Sequence, residues 1–158
     1  NKSFAQPIPT EFKSCVVFIY FDEPSGEPQP DGTGFYIGKR IPNDSTNLIP
    51  FLVTAKHVLK SQDGRFVNHV LIRLNTRDSI RYVYVTINLA GKNKNTFFND
   101  DSTVDLAVIA GAPGKKDYDL KVLPEDYFIS RTEYKLIPEG TDAFFIGLFT
   151  SHIGEGPN

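Results

Sequence analysis

The feature that most constrains the fold is a two-residue period. Between positions 81 and 89, Tyr82, Tyr84, Thr86 and Asn88 interleave with Val83, Val85, Ile87 and Leu89. Successive side chains on a β-strand point to opposite faces, so this alternation sets one apolar row against a core and one row toward water. Comparable short apolar segments, rich in β-branched and aromatic residues, predict strands near residues 15–21, 33–39, 50–54, 68–74, 104–110 and 142–148 as well. The stretches between them, 22–32, 42–47, 61–65, 75–79 and 91–103, are dense in Gly, Pro, Asn, Asp and Ser. Those residues supply positive φ, fixed φ or local side-chain hydrogen bonds, and they read as turns. No helical period lasts beyond about two turns, and only residues 55–60 predict a short helical turn. The expectation is an all-β protein, a barrel or a sandwich.

Composition narrows the function classes. The 158 residues carry 17 basic and 19 acidic side chains, a formal charge of -2, which argues against a protein that grips phosphate backbones. No apolar run approaches the ~18 residues of a spanning helix, so neither a nucleic-acid nor a membrane partner is expected. A single cysteine excludes an internal disulfide, leaves stability to the core, and fits a reducing compartment, with the cytoplasm slightly favoured. Cys15 opens the apolar run Cys15-Val-Val-Phe-Ile-Tyr-Phe21 and reads as a core residue. The glycine- and lysine-rich segment 111–119 is the best linker. The remainder, 120–158, holds only one or two convincing strands, so the second half reads as unfinished.

Two segments carry chemistry. His57 sits in Phe51-Leu-Val-Thr-Ala-Lys-His-Val58, an apolar strand running directly into a small-residue turn, a layout that delivers an imidazole to a barrel mouth. A histidine there is also compatible with a structural role making one hydrogen bond. Asp105 opens Val104-Asp-Leu-Ala-Val-Ile109, a run apolar enough to be buried. A carboxylate at its edge needs a partner, because burying it alone costs several kcal/mol. Lysine, backbone amides or protonation could satisfy it. An imidazole would also use it, since the carboxylate accepts from Nδ1–H, fixes the tautomer and leaves Nε2 free to take a proton.

Gly32-Thr-Gly-Phe35, then Leu52-Val-Thr-Ala-Lys-His57, then Asp105-Leu-Ala-Val108, resemble three successive landmarks of the trypsin-like (chymotrypsin-fold) serine peptidase family, in the family's order. The resemblance covers roughly residues 13–150. It implies a chymotrypsin-like antiparallel β-barrel fold: an N-terminal extension at 1–12, a complete first barrel at 13–110, the linker, and a second barrel begun and truncated at 120–158. It further implies that His57 is the general base, Asp105 its orienting partner, and Gly32 and Gly34 structural residues beside the cleft. No cofactor and no metal is implied, and the partner is a peptide or protein substrate.

The chain departs from the family at the nucleophile, which lies in a Gly-x-Ser-Gly context. Only Ser25 is followed by glycine, and Glu23 stands where the first glycine belongs. Ser151, before His152, lacks the glycine elbow. The nucleophile, the oxyanion donors and the specificity pocket are expected beyond Asn158, so the 158-residue piece alone is expected to be inactive. The rival reading is a degenerate protease-like barrel that binds a peptide or protein. Three weaker features remain. Asn99-Asp-Asp-Ser-Thr103 lacks the spacing of a calcium loop. His69 has no partners at metal-ligand spacing. The basic and aromatic stretch from Arg73 to Tyr84 reads as barrel surface more readily than as a base-stacking sheet.

Overall fold

The structure, a computed structural model, describes residues 8–22, 26–78, 81–90, 95–114 and 116–147. A short helix α1 (Thr10–Lys13) precedes strands β1 (Val16–Phe21), β2 (Gln29–Ile41) and β3 (Asp44–Thr54). A 3-10 turn (His57–Leu59) leads to β4 (His69–Asn75), β5 (Tyr82–Asn88), β6 (Thr96–Phe98) and β7 (Ala107–Ala110). The two-residue β8 (Leu123–Pro124), a second 3-10 turn (Glu125–Tyr127) and α2 (Arg131–Tyr134) complete the order. Among the described residues no helix is long and apolar enough to cross a membrane.

The strands form one curled half-barrel sheet in the order β5-β4-β1-β2-β3-β7-β6, antiparallel throughout, with β8 added in parallel to β2. The protein is therefore all-β and mostly antiparallel. The curl brings the two ends of the sheet near one another. Asn95 Nδ2 donates to Asn88 O at 3.3 Å, and Thr96 Oγ1 donates to Leu89 O at 3.4 Å. The concave face is filled by Val17, Ile19, Tyr36, Leu52, Ile72 and Ile109, each at most 1% exposed. Burying an aliphatic side chain of that size stabilises by about 1.5–3 kcal/mol. Leu120 joins the same core, and Tyr118 and Val122 pack against it.

Alternation in β5 is realised, with residues 82, 84, 86 and 88 outermost. Strand β4 is buried on both faces, because rings cover its outer side. Arg73, 4% exposed, lies with its guanidinium 5.5 Å from the Phe18 ring centre and 4.6 Å from that of Tyr82. Its alkyl stem and cation are thus packed among rings on the sheet's outer side.

Some expectations fail, each for a local reason. Strand β6 lies inside the expected 91–103 loop, because pairing with β7 supplies hydrogen bonds that three residues could not sustain alone. The strand expected at 104–110 begins only at Ala107. Residues 142–147 of the strand expected near 142–148 adopt no strand, and residue 148 lies outside the described set. An apolar run becomes a strand only where a neighbour pairs with it.

Candidate functional site

Register places the first two functional residues together. Strands β3 and β7 pair Val53 with Val108 and Thr54 with Ala107. Continuing that register by two residues brings Asp105 level with Lys56, one position before His57. There the chain leaves β3 and turns into the 3-10 helix, where Leu59 N donates to Lys56 O at 3.1 Å and Lys60 N to His57 O at 3.0 Å. The first amides of such a turn have no partner within it. Asp105 receives them: its Oδ1 accepts from His57 N at 3.1 Å, and the Lys56 amide also bonds the carboxylate.

The same carboxylate holds the ring. His57 Nδ1 lies 2.5 Å from Asp105 Oδ2. An ionised carboxylate only accepts, so Nδ1 carries the proton and, in the neutral ring, Nε2 keeps its lone pair. Hydrogen bonding to the His57 ring, above all, holds the Asp105 carboxyl below the usual carboxylate range. Both side chains face solvent, His57 73% and Asp105 52% exposed. The expectation of a buried Asp105 is therefore corrected. The residue precedes β7 rather than lying within it, and about half of its side chain stays open to solvent.

The turn is seated by its own second and third residues and by the strand beneath it. Val58 and Leu59 are buried in the core. Gly32 on β2 makes room for Val58: a Cβ there would lie 2.6 Å from one Val58 methyl and 2.8 Å from the other. At Gly34 a Cβ would meet Leu52 Cδ1 at 2.7 Å and the Val53 carbonyl oxygen at 3.1 Å. Thr54 Oγ1 donates to Thr33 O at 2.9 Å, closing the junction. Each glycine of the Gly-x-Gly pair thus admits a neighbour that a side chain would push away.

Lys56 secures the loop that leads to Asp105. Its Nζ donates to the carbonyls of Asn99 (2.8 Å) and Asp101 (3.2 Å), while Asp101 accepts from the backbone and hydroxyl of Thr103. Among the described residues no group of three or more His, Cys, Asp or Glu side chains is placed to hold a metal. His69, at the start of β4, has Nε2 3.3 Å from Asp22 Oδ2, and this pair lies apart from His57 on the wall of a cleft. Ser25, Ser151 and His152 lie outside the described residues.

One neighbour of the site escapes sequence reasoning. Asp31 feels the charge of His57: partial burial raises its pKa, and the imidazolium opposes that rise. Its position directly before Gly32 was the available signal. No protein family, no curated protein and no solved structure matches the chain.

Proposed function

We propose that this chain carries the base and the orienting carboxylate of a trypsin-like serine endopeptidase. The observation that carries the reading is the short His57 Nδ1 to Asp105 Oδ2 contact, with the His57 side chain open to solvent. A carboxylate bonded to Nδ1–H fixes the tautomer, so Nε2 is the atom able to accept a proton from an attacking hydroxyl. As that proton arrives, Asp105 stabilises the imidazolium. The ring then returns the proton to the departing amine, and a second cycle with water cleaves the acyl-enzyme.

In this reading the serine, the oxyanion donors and the specificity pocket come from polypeptide outside the described residues. The three sequence landmarks, in order and brought to one end of an all-β half-barrel, support it. Without the hydroxyl, His57 and Asp105 have nothing to activate.

The test uses the protein in the form that contains a Gly-x-Ser-Gly segment. A fluorophosphonate should label the serine of that form, and His57→Ala should lower peptide turnover by on the order of 10⁴-fold or more. The 158-residue chain alone should take up no label. Undiminished turnover in His57→Ala overturns the reading. A full-length form with a substituted serine and intact peptide binding assigns the barrel to the binding class instead.

A further inference from the structure

Past the 3-10 turn that carries His57 the surface opens into a cleft of about 1100 Å³, walled by Phe21, Asp22 and Gln29 to Asp31 on one side and by residues between Lys60 and His69 on the other. Lys60 begins the second wall immediately after the 3-10 turn, and its amide bonds His57 O. The volume exceeds that of most small-molecule pockets, and an open, polar groove suits an extended chain better than a compact ligand.

Most charges in the cleft are already matched. Asp22 pairs with His69 at 3.3 Å. Asp63 receives Arg65 Nε at 2.6 Å and the Ser61 hydroxyl at 2.5 Å. The Lys60 ammonium lies 5.1 Å from the centre of the Phe66 ring. Asp31 differs: its carboxylate has no hydrogen-bond or ion-pair partner among the described residues. It is also the extra residue of a β-bulge. Strand β1 pairs Ile19 with Gly32 and Tyr20 with Pro30, leaving Asp31 unopposed between them. Bulges re-aim a side chain and recur beside functional sites. Here the bulge sets the carboxylate in the cleft wall, next to the glycine on which Val58 is seated.

We propose that this cleft takes an extended polypeptide and that Asp31 selects a lysine or arginine side chain within it, received at the end of the groove beside His57. A cationic N–H donor is the group that an acceptor-only carboxylate, hydrogen-bonded by no described side chain, recognises most strongly. The proposal rests on reading His57–Asp105 as the centre the cleft serves, and it does not require the nucleophile.

The experiment titrates the 158-residue chain with acetylated, amidated pentapeptides Gly-Ala-Xaa-Ala-Gly, where Xaa is Arg, Lys, citrulline or Glu. Capped ends leave the side chain as the sole charge. Amide and carboxyl NMR shifts report occupancy of the Asp31 and Phe66 regions. The Arg and Lys peptides should bind about threefold to tenfold tighter than the citrulline peptide. Asp31→Asn should erase that preference and Asp31→Glu should restore part of it, with the remaining amide spectrum unchanged. Binding that ignores charge, a preference that survives Asp31→Asn, or no shift with any peptide overturns the proposal. Those results leave the protease reading standing or falling on the separate labelling and His57→Ala turnover tests.

Discussion

Replacing Gly32 by alanine tests how the site is seated. The added methyl would sit 2.6 and 2.8 Å from the two Val58 methyls and 3.3 Å from Val58 Cβ. Carbon atoms pack best at about 3.5–4.0 Å, so the overlap approaches 1 Å. A β-branched side chain is stiff at χ1, and rotating it exchanges one methyl for the other. Relief therefore requires the 3-10 turn to lift, and His57 with it. Forcing a methyl into a packed site costs about 1–3 kcal/mol. Restricting the unfolded chain offsets roughly 0.4–1 kcal/mol, since Gly32 has no positive φ that alanine would strain. The net expectation is a loss of about 1–2 kcal/mol, or roughly 2–8 °C in Tm for a chain of this size. Urea unfolding of the 158-residue chain measures it, and the Nδ1 proton resonance of His57 should shift as the contact with Asp105 is disturbed. Val58→Ala supplies the control. Alone it destabilises by leaving a cavity, but combined with Gly32→Ala the new methyl occupies that space. The double variant should therefore be at least ~1 kcal/mol more stable than the sum of the two single costs implies. Additive costs, or a Gly32→Ala protein as stable as the parent, would refute the seating argument.

Two further outcomes concern the titrating groups. Asp105 has a depressed folded pKa, so its pairing contributes fully above the ordinary aspartate range and is lost only as pH falls through the lower folded value. The Asp105 carboxyl 13C shift should hold to below the usual range, and His57→Ala should return its midpoint upward; an unmoved midpoint refutes the pairing. Cys15 is 5% exposed and its thiol pKa is raised by burial, with Lys121 pulling weakly the other way. Iodoacetamide at pH 8 should modify it far more slowly in the folded chain than in urea, and equal rates would contradict its place in the core.

The strands were legible wherever a periodic apolar run also found a partner. Those at Val16–Phe21, His69–Asn75 and Tyr82–Asn88 lie within a residue or so of where alternation and turn residues place them. The short turn after Thr54 was legible too, because Ala55 to Lys60 lacks the strand period. Strand β6 was not, since three residues carry no period and exist as a strand only through β7. The run at 142–147 shows the converse: strand-like composition without a paired neighbour.

The chemistry divides along the same line. Local sequence context nominated His57 and Asp105, and the order of the three landmarks added the two glycines, none of which depends on where the residues lie in the fold. Their relation did depend on it. The β3–β7 register, carried two residues past its last pair, sets a carboxylate from position 105 against the ring and amide of position 57. The same assembly left that carboxylate half exposed where its sequence neighbours implied burial, and a bulge set Asp31 in the wall of a cleft. Local sequence encodes periods and propensities over a few residues. Distances across 48 positions are decided by hydrogen-bond register and by which side chains yield space, and those exist only once the sheet has curled around its core.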